Sequence, residues 1–454
     1  MKYPLLMKAL VLGCVIVVLN VGLSLVDGLV VERRDRQREA EAAVADSLAG
    51  RQTLLGPVLQ RSCVETWEAV EGEGKDRKTV VHAREFAVIS APAALKVTGD
   101  STLEPRYRGL FKVNAYVSHA KIEATWDSRA DLVGTAQQPK GQLKCEQPRA
   151  IVTVSDPRGV RAVSLRIDGA ITAASPQALD RSSARGFGAM VPEGTGPLRV
   201  DLDLELAGTR SIAWVPIGND TTVSWASPWP HPSFGGRFLP TDRSIGSDGF
   251  SAQWKVSSLA TTAQRMLKQQ GTVCSYVDDG LQVGGSPCID GFGVSFIDPV
   301  DRYVLSDRAV KYGLLFIVLT LGGVALTEVL RRVRVHPVQY LLVGAALTIF
   351  FLLLLSLSEH LSFDVSYLVA SGACTALLTF YGGYVLRGVR AALGLGASVA
   401  ALYAALYTLL KMEQASLVVG SLLLFGVLAG VMIMTRKVDW YSVASVGSPS
   451  AARA

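Results

Sequence analysis

Long apolar stretches lie near the start of the chain and throughout its last third. Each is roughly 20 residues long, the length a helix needs to cross a hydrocarbon core of about 30 Å with its backbone hydrogen bonds made internally. The stretches are residues 9–30, 312–330, 338–357, 365–386, 391–410 and 416–435. The pattern therefore predicts an N-terminal anchor helix and a C-terminal bundle of five transmembrane helices.

Between the first two stretches the pattern changes to that of β-strands. In residues 198–206 every second residue is Leu or Val, and the residues between them are charged. This period of two predicts a strand with one face toward water. Weaker alternation occurs in residues 110–117, 163–167 and 222–225. No amphipathic helical pattern separates these segments, so we expect an antiparallel, sandwich-like β domain.

These patterns divide the chain into four parts and predict an α+β membrane protein. The parts are residues 1–31, the N-terminus and anchor helix; 32–310, the β-rich domain; 311–437, the five-helix transmembrane bundle; and 438–454, a C-terminal tail. Residues 32–48 are charged and rich in alanine, which predicts a short helix leaving the membrane. The first apolar run is longer than the roughly 7–15 residues of the apolar region of a signal peptide and lacks a cleavage motif, so we interpret it as an uncleaved anchor.

Composition and charge narrow the class of protein. Only 19 % of the 454 residues are charged and 49 % are hydrophobic, and the mean hydropathy is +0.31. These values exclude a disordered chain and a wholly soluble enzyme. The net charge of +6 is too small to indicate a nucleic-acid partner. We expect the lipid bilayer itself to be the main partner.

The basic residues between the apolar stretches predict the orientation. They lie before the first stretch and after the second, fourth and sixth, at Lys2, Lys8, Arg331, Arg332, Arg334, Arg387, Arg390, Arg436 and Lys437. The connection at residues 358–364 contains Glu359 and Asp364 but no Lys or Arg. By the positive-inside rule both termini are cytoplasmic and the β-rich domain is extracytoplasmic. A basic cluster at residues 33–38 runs against the rule, but it is interleaved with acidic residues and begins a long translocated segment.

Four cysteines lie in the predicted extracytoplasmic domain, where disulfides persist. They are Cys63, Cys145, Cys274 and Cys288. Cys274 and Cys288 bracket a segment rich in Asp and Gly that is typical of a hairpin loop, which favours that pair and leaves Cys63 with Cys145. The alternative is four free thiols.

Motifs for catalysis or cofactor binding are scarce. The five histidines are scattered without zinc-ligand spacing, and the chain contains no nucleotide-binding glycine motif, so we expect no metal and no cofactor. Ser118 and Lys121 match the S-x-x-K motif of penicillin-binding enzymes. Its companion motifs are missing, and the surrounding residues predict strand and turn where the motif needs the start of a helix.

Ionisable residues in the apolar stretches are candidate functional residues, because they are costly in lipid. Glu328 precedes Arg331 and Arg332 by three and four residues, a spacing that predicts an interfacial ion pair, with a transport role as the alternative. Glu359 and His360 lie at the outer end of the third stretch, just after its last apolar residue. They form either a proton relay or a hydrogen-bonded cluster at a helix end.

Several segments carry motifs that are specific enough to indicate a family. They are Ser-Leu-Ser-Glu-His at residues 356–360, Arg51-Gln52 followed by Leu54-Leu55-Gly56-Pro57, and two aromatic runs. The first run contains Trp229, Pro232, Ser233, Phe234, Gly236, Phe238, Leu239 and Pro240, and the second contains Gly249, Phe250, Ala252 and Trp254. In these segments the chain resembles the CreD family of inner-membrane proteins, and the resemblance extends over essentially the whole chain.

The resemblance implies a Gram-negative inner-membrane protein with a periplasmic domain and a role in cell envelope integrity. It also implies expression under a two-component system associated with the β-lactam response, and it supplies no catalytic residues. The segment containing Trp229, Pro232, Ser233 and Phe234 is either a binding surface, for envelope components or membrane proteins, or a rigid element that ties strands together. We therefore expect a non-enzymatic envelope protein. The alternatives are a transporter or lipid-handling protein that uses Glu328, Glu359 and His360, and a periplasmic envelope-modifying enzyme.

Overall fold

The computed structural model describes residues 4–71, 78–179, 185–269, 271, 273, 288–298, 302–331, 333, 335–385, 388–412 and 416–436. The chain divides into two compact units. The helical unit comprises Met1–Gln37 and Val300–Ala454, and the β unit comprises Arg38–Pro299. The predicted β-rich domain, residues 32–310, begins six residues before the β unit and ends eleven residues after it.

The helices match the predicted apolar stretches, with two differences. In chain order they are α1 (Pro4–Ser47), α2 (Ala263–Lys268), α3 (Arg302–Lys311), α4 (Gly313–Arg331), α5 (Pro337–Ser358), α6 (Phe363–Val385), α7 (Val389–Lys411) and α8 (Ser416–Thr435). The predicted anchor and the short helix after it form one continuous helix, α1. The second span is preceded by α3, which is bent by 45° relative to α4.

Four helices of the described residues are long and apolar enough to cross a membrane, and the bent pair α3 and α4 makes a fifth. The four are α1 from Ala9, α5, α6 and α7. The apolar part of α8, Val418–Ile433, is shorter than these spans. The structure thus contains helices at all six predicted spans, five of which meet the length and composition of a membrane span.

Small residues allow the helices of this unit to approach one another closely. Leu19 of α1 packs where a side chain on Gly344 of α5 would lie, and Leu23 packs in the same way against Gly313 of α4. A larger residue at either glycine would collide with leucine carbons. Such contacts are typical of membrane helix packing, where close backbone approach replaces the hydrophobic effect.

The β unit is built from 19 strands within the described residues. They are β1 (Gln52–Glu71), β2 (Lys78–Ser90), β3 (Ala94–Leu103), β4 (Arg106–Arg108), β5 (Phe111–Val113), β6 (Ala115–Trp126), β7 (Gln142–Cys145), β8 (Arg149–Val154), β9 (Val160–Ile167), β10 (Ala170–Thr172), β11 (Ser175–Ala178), β12 (Arg185–Met190), β13 (Leu198–Thr209), β14 (Ser211–Trp214), β15 (Asp220–Ser227), β16 (Pro232–Gly236), β17 (Asp242–Gly246), β18 (Gly249–Ser257) and β19 (Phe292–Phe296).

The strands of the described residues form two large sheets and a separate hairpin. Sheet A has the order β11-β12-β8-β1-β14-β19-β16, with β2 and β7 also paired to β1. Sheet B has the order β10-β9-β13-β6-β3-β15-β18-β17, and β4 and β5 form the hairpin. Most neighbours are antiparallel, as predicted, but β1 with β14 and β3 with β15 are parallel.

A single hydrophobic core lies between sheets A and B. Its centre is aromatic: Trp214 of sheet A packs against Trp225 and Trp254 of sheet B, with ring centroids 4.7 and 5.7 Å apart. Phe292 lies 5.6 Å from Trp254. The predicted alternation in residues 198–206 is observed as β13, whose leucines and valine are buried. The predicted α+β membrane fold is therefore confirmed.

Candidate functional site

Glu359, a candidate from the sequence, joins two helices of the helical unit. It follows the last residue of α5, and its carboxylate lies 3.2 Å from Nε of Arg33 in α1. Its side chain is only 11 % exposed. Arg302 of α3 donates hydrogen bonds to the carbonyl oxygens of Ser358 and Glu359, at 3.0 and 3.1 Å. Three helices therefore meet at the C-terminal end of α5, where the guanidinium groups compensate the acidic side chain and the free carbonyls.

Two further ion pairs involve the ends of helices in this unit. Asp307 of α3 lies 3.5 Å from Arg34 of α1 and 2.8 Å from Lys311. Asp364 of α6 lies 2.7 Å from Lys411 of α7 and accepts a hydrogen bond from the Tyr407 hydroxyl at 3.0 Å. We call the ion pairs of Glu359, Asp307 and Asp364 the polar belt. Because α5 ends, α6 begins and α7 ends at these pairs, the three helices share one boundary there.

His360 does not complete a proton relay with Glu359. Its backbone N–H donates to the Leu357 carbonyl, and its side chain is exposed. Among the described residues no hydrogen bond joins the imidazole to the Glu359 carboxylate, which is paired with Arg33 instead. This arrangement corresponds to the interpretation of a hydrogen-bonded helix end.

Glu328 lies near the connection between α4 and α5 and is buried. Its carboxylate accepts hydrogen bonds from the Val335 N–H at 3.0 Å and from the Tyr340 hydroxyl at 2.6 Å. The predicted partner side chains, Arg331 and Arg332, lie outside the described residues, so that ion pair stays a prediction. The two bonds fix the turn that leads into α5.

The segment with Trp229, Pro232, Ser233 and Phe234 is part of sheet A. Residues Pro232–Gly236 form the edge strand β16, which pairs with β19. The Phe234 ring packs edge-on against Phe250 and Trp254, at 5.5 and 5.6 Å. Trp229 donates from Nε1 to the carbonyls of His231 and Ile297, at 2.9 and 3.1 Å. This geometry corresponds to the interpretation of an element that ties strands together.

Ser118 and Lys121 cannot act together as an acylation pair. Ser118 is fully buried, and its hydroxyl shares a 2.8 Å hydrogen bond with Ser101. Ser101 in turn accepts from Nε1 of Trp225 at 2.9 Å. Lys121 lies on the exposed face of the same strand, β6. Because successive side chains of a strand point to opposite faces, residues three apart face opposite ways.

The β unit contains the disulfide Cys63–Cys145, which joins directly opposed residues of β1 and β7. Close to it Glu65, fully buried, accepts hydrogen bonds from the backbone N–H groups of Gln137 and Gln138, both at 2.7 Å. Cys288 is also disulfide-bonded. Its predicted partner, Cys274, lies outside the described residues. Sequence reasoning missed Glu65, because its strand does not alternate regularly.

A shallow groove of about 620 Å³ crosses the outer face of sheet B. Its charged lining includes His119, Asp203 and Glu205. The two carboxylates lie 3.3 Å from Arg166 and 3.6 Å from Arg161, both on β9. The acidic side chains of the groove are therefore members of cross-strand ion pairs between β13 and β9. No group of three His, Cys, Asp or Glu side chains in the described part of the chain is arranged to hold a metal ion.

Comparisons with known proteins agree with the architecture. The family model described as "Inner membrane protein CreD" matches residues 4–441. Inner membrane protein CreD of Escherichia coli (strain K12) is 31 % identical over 448 residues, which cover 97 % of this chain and 95 % of the relative.

Similarity to solved structures is low. An M1 zinc metallopeptidase from Deinococcus radiodurans and a mutant of it each match 45 % of this chain and 42 % of their own, at 11 % identity and TM-scores of 0.20 and 0.22. The family model and the relative cover the anchor helix, the β unit and the spanning helices alike. The chain therefore belongs to the CreD family of inner-membrane proteins.

Proposed function

We propose that this protein contributes to cell envelope integrity without catalysing a reaction, by presenting the β unit on the periplasmic side of the inner membrane. Family membership makes it an inner-membrane protein. The role in the envelope is the one that the family resemblance implies. On this proposal the β unit binds envelope components or other membrane proteins.

The Cys63–Cys145 disulfide is the observation that carries the periplasmic placement. Disulfides persist in the periplasm and are rare in the reducing cytosol. The positive-inside rule supports the same placement, because the basic residues Lys2 and Lys8 precede the first apolar stretch, residues 9–30. On this proposal the chain spans the membrane six times, with both termini in the cytoplasm.

The proposal of a non-enzymatic role rests on the contacts of the candidate residues. Ser118 is bonded within the core, and Phe234 packs in the aromatic core. Glu359 pairs with Arg33 across two helices. These three side chains are thus engaged in contacts that hold the fold.

A deletion strain tests the proposal. We expect the strain to be more sensitive than its parent to detergent and to β-lactams, and we expect the full-length chain to restore resistance. A Cys63→Ser, Cys145→Ser variant should restore it poorly, whereas a Cys374→Ser control should restore it fully, because Cys374 is a free thiol. Equal sensitivity of the deletion strain and its parent would contradict the role in envelope integrity.

A further inference from the structure

The hairpin of β4 and β5 carries two exposed apolar side chains. Its two strands pair with each other and belong to neither large sheet. Tyr107 is 70 % exposed and Leu110 is 51 % exposed. Gly109 forms the turn in the left-handed region, at φ +60°, with open space around it. The hairpin therefore holds two large apolar side chains that are mostly exposed to water.

Basic side chains surround these two residues. Arg106, Arg108 and Lys112 lie on the hairpin, and Glu104 is the acidic residue beside it. Arg106 pairs with Glu104 at 2.8 Å, whereas Arg108 forms no ion pair with any described residue. A cleft of about 370 Å³ lies between the hairpin and the last turn of α1, lined by Val44, Ser47, Leu48, Arg106, Tyr107 and Arg108. Two guanidinium groups therefore line a cleft that no acidic side chain lines.

The hairpin lies at the end of the β unit where the chain enters and leaves it. Lys112 pairs with Asp298, next to the last residue of the unit, at 3.3 Å. Asn114, directly after β5, donates from its amide to the carbonyl of Phe296 at 3.1 Å. The cleft brings Ser47, the last residue of α1, to the same end. Both connections to the spanning helices thus leave the β unit beside the hairpin.

We propose that this hairpin binds the surface of an anionic phospholipid bilayer. Tyr107 and Leu110 enter the headgroup region, and Arg106 and Arg108 bind lipid phosphates. An aromatic side chain, an aliphatic side chain and flanking basic residues are the combination that favours this interface. Basic residues near an anionic surface strengthen the attraction to it. The tether to spanning helices keeps the local lipid concentration high, so weak contacts suffice.

The inference goes beyond the proposed role in envelope integrity, because it concerns only the hairpin and lipid. The test uses the full-length chain in nanodiscs, with Leu110→Cys labelled by the environment-sensitive fluorophore NBD and with Cys14→Ser and Cys374→Ser removing the free thiols. The matched control carries Ile171→Cys, which is 79 % exposed. Ile171 lies opposite Arg166, which aligns through Asp201 with Glu123 of β6. Glu123 is eight residues along β6 from Ala115, the strand end beside the hairpin, a rise of about 27 Å.

In nanodiscs of phosphatidylglycerol and phosphatidylcholine with doxyl-labelled lipid, we expect about half or more of the fluorescence at position 110 to be quenched. The label at position 171 should keep its fluorescence. Adding Arg106→Gln and Arg108→Gln, or using phosphatidylcholine alone, should weaken the quenching at position 110. Equal quenching at both positions, or none at position 110, would overturn the proposal.

Two further outcomes would also overturn it. Quenching that is unchanged by the two arginine substitutions and by neutral lipid would show that the contact is not with anionic headgroups. A blue-shifted, unquenched label whose signal depends on protein concentration would show that a second copy of the chain covers the hairpin. Thermal unfolding of the labelled variants, expected to match that of the parent, separates these outcomes from misfolding.

Discussion

The carboxylate of Glu359 lies 3.2 Å from Nε of Arg33, so that the end of α5 is paired with α1. The two residues are 326 positions apart in the sequence, yet both belong to the helical unit. The pair is partly buried, with 11 % of the Glu359 side chain exposed. A structural role for Glu359 and a role in proton transport make different predictions for variants at the two positions.

A double-mutant cycle of Glu359→Gln and Arg33→Gln distinguishes these roles. If the pair holds the helices together, each variant lowers the free energy of unfolding, and the coupling energy is about 1 kcal/mol. The control is the exposed pair Glu32 with Arg36, 2.6 Å apart, for which we expect about 0.4 kcal/mol. Thermal unfolding of the full-length protein in nanodiscs measures both. Loss of cellular activity in Glu359→Gln with unchanged stability would favour the transporter.

Ser118→Ala tests the enzyme alternative. The substitution removes the hydrogen bond to Ser101, and we expect it to lower the free energy of unfolding by about 1 kcal/mol. Lys121→Ala, on the exposed face of the same strand, should change it by less than about 0.5 kcal/mol. Neither the parent chain nor the variants should react covalently with a fluorescent penicillin. Labelling that Ser118→Ala abolishes would contradict the structural role of this serine.

Glu65→Gln tests the buried carboxylate beside the disulfide. Glu65 pairs with Arg84 at 2.9 Å while accepting two backbone hydrogen bonds, and its side chain is 0 % exposed. Removing one partner of a buried ion pair costs about 3 kcal/mol. Glu68→Gln, at an exposed position of the same strand, is the control, with an expected change below about 0.5 kcal/mol. Equal unfolding temperatures for the two variants would contradict this account.

Acid unfolding of the β unit depends in part on Asp290. Burial raises the pKa of its carboxyl group, but hydrogen bonds from the Thr262 amide and hydroxyl, from Arg237 and from Thr261 outweigh burial and lower the pKa. The folded state therefore favours the carboxylate. This stabilisation is fully present above the unfolded-state pKa of about 3.9 and is lost as the pH falls through the lower pKa of the folded state.

The Asp290→Asn variant should therefore be less stable than the parent at neutral pH. It should also lose less stability than the parent when the pH falls below about 4. Unfolding curves across this pH range, for both chains, measure the difference. Parallel loss of stability in parent and variant would contradict the stabilising role of the carboxylate.

Local patterns predict the spanning helices and several of the strands. The alternation in residues 198–206 predicts β13 because successive side chains lie on the buried and the solvent-exposed face of the strand in turn. This pattern depends on no distant part of the sequence. The apolar stretches predict the spanning helices for the same reason. The prediction separated α1 into two helices at residue 31, where hydrophobicity changes. The change in hydrophobicity marks the point where the helix leaves the membrane, but it does not end the helix. The helix continues because residues 31–47 contain no Gly or Pro.

The contacts of the candidate residues depend on the tertiary fold and could not be predicted in the same way. Glu359 was singled out from its position at a span end, but its partner Arg33 lies in another helix. The parallel pairing of β1 with β14 likewise joins segments distant in sequence. The i and i+4 spacing of Asp307 and Lys311 is a local signal for that one pair of the polar belt.

The side of the membrane on which the β unit lies is the central claim, and cysteine accessibility tests it most directly. In a Cys14→Ser, Cys374→Ser background, a membrane-impermeant maleimide is added to intact spheroplasts that express either Leu259→Cys or Met7→Cys. Leu259 is 96 % exposed on the β unit, and Met7 is 50 % exposed near the start of α1. We predict that Leu259→Cys reacts in intact spheroplasts and that Met7→Cys reacts only after lysis. Labelling of Met7→Cys but not of Leu259→Cys before lysis would contradict the account.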